Sequence, residues 1–411
     1  MRKMMAQICS LALVSALLAG CGGSGTPAAS SAASSAAPAA APASTTAAQT
    51  QQETTAVSEN TKATEAETTA APAQESGIRD VSGIAQEDAA AEAAKVQYNN
   101  DTIVVKFGNA GAIGETGPTA CQYFCDLSNI AFGGKYRFDF YPSEQLGNEQ
   151  TMMENMQMGL QEVMMTTLST VSIYVPDFNI LDMAFCFTSP DQAQNFIAKD
   201  PQIQKDLEEA GFVFVTYNLQ RNPRMLFCTY PLVTANDMKG MKYRIPNLPI
   251  FEANARAMGA TPVVTAYSEY AFALMQGVVD GGDAAKDAYY SAGFYESAPY
   301  ASEVDFAYPF ESIFFAKSFW DTLPAEDQEV FMSIGKQVED YYNGTVHEAW
   351  EEMKKELIEK GVTFVDCDRQ SFIDATASLG EEMQDSGLFK TEKLYDKVKE
   401  WNAEYDAAHP Q

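Results

Sequence analysis

Histidine is nearly absent from this chain of 411 residues: His347 and His409 are the only two. The commonest general base and metal ligand is therefore scarce, and the sequence has no GxSxG elbow, HExxH helix, P-loop or GxGxxG turn after a strand. Hydrolytic and metal-dependent chemistry are poorly supported, so no catalytic residue, metal or cofactor is expected. Basic residues are also few, with 27 Lys and Arg against 56 Asp and Glu, a formal charge of −29. No basic stripe exists to displace counterions from phosphates, which argues against nucleic-acid binding. The same field repels anions at long range. An anion site would have to be local, built from one or two arginines and oriented N–H groups.

Long apolar runs are missing beyond the N-terminus, and a spanning helix needs about 18 or more such residues. The first residues have the order of an export signal: Arg2 and Lys3, then the apolar run Ile8 to Leu18, then Leu18-Ala19-Gly20-Cys21. This end resembles the bacterial lipobox, in which the chain is cleaved before the cysteine and the thiol is lipidated. Residues 1–20 are read as the signal peptide and Cys21 as the lipid anchor at the extracytoplasmic membrane surface. From Cys21 the chain is almost all Ala, Ser, Thr, Pro, Gln and Glu, which cannot bury enough apolar surface to offset chain entropy. The expectation is a disordered stalk over 21–97, with helix potential between Gln86 and Lys95.

Cysteine is sparse in the folded part: Cys121, Cys125, Cys186, Cys228 and Cys367. No pair has metal-ligand spacing, and an odd number leaves at least one thiol free. Small buried hydrophobes are the expected role for all five.

From about Asp101, strand and helix patterns alternate: strands over 102–108, 136–141 and 162–167, and helices over 118–131 and 149–158. That alternation argues a mostly parallel α/β sheet. The methionines of 152–165 read as core filler. Further on, Pro324 opens a helical pattern that runs unbroken to Lys360, with a bend expected at Asn343-Gly344. Residues 289–310 are rich in aromatics, expected to pack beside a ligand's apolar body.

The stretch Asn236 to Asn247 is the most informative. Met241 to Ile245 reads as a strand stopped by Pro246, and Asn247 as the cap of a helix beginning near Pro249. Arg244 then lies at the C-terminal end of a strand, where open α/β sheets bind ligands and where a guanidinium can hold a carboxylate through two parallel hydrogen bonds. An ordinary surface ion pair is equally compatible with that position. Arg224 lies in the same αβ unit and can reach the same cleft.

Four blocks in register give the chain a family resemblance: Tyr141-Pro142-Ser143-Glu144-Gln145-Leu146-Gly147, Met158-Gly159 leading into Val163, Asp237 to Asn247, and Gly259-Ala260-Thr261-Pro262 through Ser268-Glu269 to Gly277-Val278-Val279-Asp280-Gly281. Over about Thr102 to Trp401 the sequence resembles the substrate-binding proteins of the tripartite ATP-independent periplasmic (TRAP) transporters, dicarboxylate- and sialic-acid-binding family. The resemblance implies a two-lobed, periplasmic-binding-protein-like α/β fold with crossing strands and one long helix on which both lobes rest. Lobe I is expected over 98–221 and 310–349, and lobe II over 222–309 and 350–411. It implies that Arg244 clamps the ligand carboxylate and that Arg224 assists. Asn109, Thr167, Tyr267 and Asn247 fall at ligand-contacting or lining positions. The segment Gly282-Asp283-Ala284 departs from the usual Gln-Glu-Asn, so a carboxylate-binding asparagine is replaced by Ala284, and Asp283 is a further candidate. Thr167 stands where sialic-acid binders carry an acid. Four-carbon dicarboxylates, uronates, 2-oxo acids and aromatic acids stay open.

The expected protein is thus a monomeric, lipid-anchored solute-binding protein. It captures a small organic acid and delivers it to membrane TRAP permease subunits driven by an ion gradient. A ligand-sensing subunit of a signalling system would use the same cleft, and an enzyme is disfavoured by the missing motifs.

Overall fold

The computed structural model describes residues 77–348 and 350–410. The expected signal peptide, Cys21 and the stalk up to residue 76 lie outside the described residues. The stalk reading does not extend to residue 97. Val81 and Ala89 are buried in the same core as the helix Thr116–Phe132, Tyr123 donates to the Ile84 carbonyl (2.6 Å), and Gln86–Ala93 is helical. A few apolar side chains in an otherwise polar stretch are enough to dock it.

Among the described residues twelve strands form two sheets. They are β1 (Ile103–Gly108), β2 (Tyr136–Tyr141), β3 (Val163–Thr167), β4 (Phe212–Phe214), β5 (Leu219–Gln220), β6 (Arg224–Cys228), β7 (Lys242–Ile245), β8 (Thr261–Val264), β9 (Gly281–Ala285), β10 (Tyr300–Ser302), β11 (Phe310–Ala316) and β12 (Thr363–Phe364). The first sheet has the order β2-β1-β3-β11-β4 with β5 on β11, and the second β12-β10-β6-β9-β7-β8. Both are mixed rather than mostly parallel. The chain passes from the first sheet to the second between β5 and β6, and returns between β10 and β11. Each returning or entering strand therefore runs against its new neighbours: β11 is antiparallel to β3, and β6 to β9. Both are covered on each face, and all their residues are buried, the charged Arg224 and Glu311 among them.

The two crossing segments are joined to one another. Arg221 N–H donates to the Pro309 carbonyl (3.1 Å) and Arg224 N–H to that of Ala307 (2.9 Å). The helix Ala325–Glu348 lies alongside. Asn343 accepts from Gln220 N–H and donates to the Asn218 carbonyl, both at 2.8 Å, and Asn222 donates to the Val346 carbonyl at 2.8 Å. Asn343-Gly344 lies within the helix, and Asn343 serves as an anchor point. The expected unbroken helix is described as two, Ala325–Glu348 and Trp350–Glu359, with Ala349 between them outside the described residues. At its first turn Asp327 receives Lys135 Nζ (2.6 Å) and the Tyr136 hydroxyl (2.5 Å) of the first sheet. Beyond the gap, Trp350 and Leu357 enter the core beneath the second sheet. The helical stretch thus rests on both lobes. The last helix, Leu394–Ala408, packs against Pro190–Lys199, with Trp401 stacked on Phe196.

Met152, Met153, Met156, Met164 and Met165 are buried as expected, whereas Met158 is exposed at the helix end. All five cysteines among the described residues are free; Cys121, Cys125 and Cys228 are buried, and Cys186 and Cys367 only partly so. No helix of the described residues is long and apolar enough to cross a membrane.

Candidate ligand-binding cleft

The ends of β3, β6, β7 and β9 converge on a cleft with about 760 Å³ of empty space, counted out to its open mouth. Asn109, Thr167, Arg224, Arg244, Tyr267 and Asp283 all line it. Asn247 does not; it is exposed in the adjoining mouth beside Pro246. Nor does Asn247 cap the following helix. Leu248 N–H turns back onto the Pro246 carbonyl (2.8 Å), so the helix Pro249–Ala257 begins after Leu248 without a side-chain cap.

Three arginines reach the cleft, and their partners differ. Arg221 pairs with Glu311 (3.3 Å) and Asp287 (3.7 Å). Arg224 donates through Nε to Asp283 and lies 3.6 Å from Asp182, with Phe251 against its guanidinium. Arg244, only 6% exposed, has no carboxylate partner among the described residues. Its Nε and Nη2 donate to the Thr265 carbonyl at 3.0 and 2.8 Å, and its guanidinium lies 4.7 Å from the Tyr270 ring centre. Two of its five donors are spent on Thr265, so the edge formed by Nη1 and the second Nη2 hydrogen stays available for a planar anion.

The titration behaviour follows the same division. Burial disfavours the charge of Arg221 and Arg224, but their carboxylates more than offset it and both are pushed up. Burial pulls Arg244 below the ordinary arginine value, and Tyr270 and Asp283 only partly oppose it. Arg244 is the cation the protein leaves uncompensated.

The other expected residues have internal partners. Asp283 accepts from Arg224 and from the Tyr243 hydroxyl (2.5 Å), which makes it a support of the arginine. Asn109 holds its own loop, donating to the Met165 carbonyl (3.0 Å) and accepting from Gly111 N–H (2.8 Å). Thr167 Oγ1 shares hydrogen bonds with Thr170 and Ser169, each at 3.0 Å. Tyr267 donates to Glu115 (2.9 Å) from across the cleft.

Sequence reasoning missed Arg221, Glu115, Glu149 and Glu311. Arg221 had a visible signal, three residues before Arg224 in the crossing segment. Glu149 opens the helix Glu149–Gln157 after its Asn148 cap and accepts from the hydroxyls of Thr166 and Thr170. The aromatics of 289–310 do not line the cleft. Tyr289 and Phe294 pack on Phe227 in the core below the second sheet, because the strand and helices that carry them cover that core. Among the described residues no group of His, Cys, Asp and Glu is placed to hold a metal ion.

Gly282 shows how tightly the arginine is seated. A Cβ there would lie 2.2 Å from the Tyr270 hydroxyl and 3.2 Å from the Arg244 carbonyl. Gly282→Ala is expected to push Tyr270 off Arg244 and cost about 1–3 kcal/mol by overpacking, read from chemical denaturation.

Burial raises the carboxyls of Glu115, Glu149, Asp182 and Glu311 above their ordinary values. A carboxyl with a raised folded-state pKa favours folding at low pH, and that contribution is lost as pH rises through the raised value. The melting temperature should therefore fall as pH rises out of the ordinary carboxyl range, and fall less in Glu149→Gln.

The model of bacterial extracellular solute-binding proteins, family 7, matches residues 107–386. A solute-binding protein of Roseobacter denitrificans is 28% identical over 272 residues, 64% of this chain and 83% of that protein. The C4-dicarboxylate-binding periplasmic protein of Rhodobacter capsulatus is 25% identical over 266 residues, 64% of this chain and 80% of that one. The crystal structure of a TRAP periplasmic solute-binding protein from Roseobacter denitrificans with bound L-galactonate matches with a TM-score of 0.66 at 25% identity, covering 73% of this chain and 98% of that one.

Proposed function

The chain belongs to family 7 of the bacterial extracellular solute-binding proteins, and on that premise we propose that it captures a small organic acid anion between its lobes and delivers it to a TRAP permease. Members of this family bind substrates for transport and are not enzymes. The observation that carries the reading is Arg244, a buried guanidinium with one open edge and no carboxylate partner among the described residues. In a site shielded from water its pairing with a carboxylate is stronger than at the surface.

Arg224 and Arg221, held by carboxylates in the crossing segment, shape the floor of the site and orient its donors. Asn109, Thr167, Tyr267 and Asp283 form its walls, and Asn247 stands at its mouth. Contacts from both lobes to one ligand favour the closed arrangement by differential affinity. The relatives named above, one binding C4-dicarboxylates and one holding L-galactonate, support an organic acid as the ligand class. The Leu18-Ala19-Gly20-Cys21 order supports a lipid anchor at the extracytoplasmic surface, and the proposed working unit is a monomer.

A thermal-shift screen over organic acids tests this. An acid at a hundredfold excess over its Kd stabilises by about 2.7 kcal/mol, a shift of a few degrees. Stabilisation by neutral or cationic solutes only would contradict the reading.

A further inference from the structure

The charges of the cleft do not cancel evenly. Arg221 and Arg224 each face two carboxylates, so neither has charge to spare for a ligand. Two carboxylates of the cavity wall, Glu115 and Glu149, have no cation in an ion pair among the described residues. Both instead accept hydrogen bonds from hydroxyls: Glu115 from Tyr267 (2.9 Å), and Glu149 from Thr166 and, at 3.4 Å, Thr170. Glu149 also opens a helix, a position where the macrodipole favours negative charge.

Resting on the carboxylate-capture reading, we propose that the ligand is a monocarboxylate carrying several hydroxyls, and that Glu149 selects it against dicarboxylates. The single uncompensated cation, Arg244, takes one carboxylate. Glu149 lines the same cavity and accepts ligand hydroxyls as it accepts those of Thr166 and Thr170. An O–H donated to a carboxylate is a strong, charge-assisted bond. A second ligand carboxylate would meet Glu149 with no cation to shield it, a like-charge contact that rejects the wrong ligand. Thr167 and Ser169, beside Thr170, add hydroxyls that can donate or accept along the polyol chain.

Calorimetry on the full mature chain tests the proposal with a panel of hexonates, their matched hexarates and succinate. At least one hexonate should bind a hundredfold or more tighter than its hexarate and than succinate. Glu149→Gln should weaken that hexonate at least tenfold and bring the hexarate to within tenfold of it. A wild-type protein that binds a hexarate or succinate as tightly as any hexonate overturns the proposal, whether or not the variant folds. An unchanged hexonate-to-hexarate ratio in a folded Glu149→Gln also overturns it. These results leave carboxylate capture standing. That reading falls separately if no carboxylate of any kind binds.

Discussion

Arg244→Ala should lower affinity for the bound acid at least tenfold while leaving the unfolding midpoint nearly unchanged. The two expectations have one cause. Arg244 pairs with no carboxylate of the protein among the described residues, so its removal strands no buried charge. What is lost from the apo protein is the pair of bonds to the Thr265 carbonyl and the contact with Tyr270. Burying an uncompensated cation is itself costly, which offsets much of that loss. In the complex, the ligand carboxylate would lose its only unshared cation. Breaking a buried charge pair costs about 3–5 kcal/mol, and each tenfold in Kd is about 1.4 kcal/mol. Calorimetric titration beside urea denaturation reads both quantities. A variant that binds normally, or one that unfolds as readily as it loses binding, would contradict the assignment.

Asp283→Ala should do the opposite, destabilising the fold by about 3–5 kcal/mol. Asp283 is 3% exposed and receives both Arg224 Nε and the Tyr243 hydroxyl. Without it, the one carboxylate left to Arg224 among the described residues is Asp182 at 3.6 Å, and the Tyr243 hydroxyl loses its acceptor in a buried setting. The damage falls between β6, β7 and β9, at the centre of the second sheet. Asp283→Asn, which can still accept from Tyr243, should lose less. A urea midpoint for Asp283→Ala within about 1 kcal/mol of wild type would show that Arg224 is not held this way.

The contrast between Arg244 and Arg224 marks where sequence reading reached its limit. Both arginines were legible as cleft residues, since strand ends and the spacing of the family blocks place them. Which of them is spoken for was not legible, because Asp182 and Asp283 reach Arg224 from distant parts of the chain. β1, β2, β3 and β7 were legible as strands from their patterning and flanking turn signals. β6 and β11, which carry the buried charges Arg224 and Glu311, were not, and only the two crossings fix their direction. The aromatics of 289–310 misled because a ring's composition does not say whether it faces a cleft or a core. Asn247 misled because a tight turn at Pro246 moved the helix start past it. Glu149 was invisible because helical carboxylates are usually solvated, and only the packed threonines of 166–170 make this one a wall of the site.

The most direct measurement of the central claim is a crystal structure of the protein with an acid taken from the thermal-shift screen. The ligand carboxylate is expected on the open edge of Arg244, bonded to Nη1 and Nη2, while Arg224 stays on Asp283. A carboxylate seated on Arg221 or Arg224, or a ligand outside the cleft altogether, would contradict it.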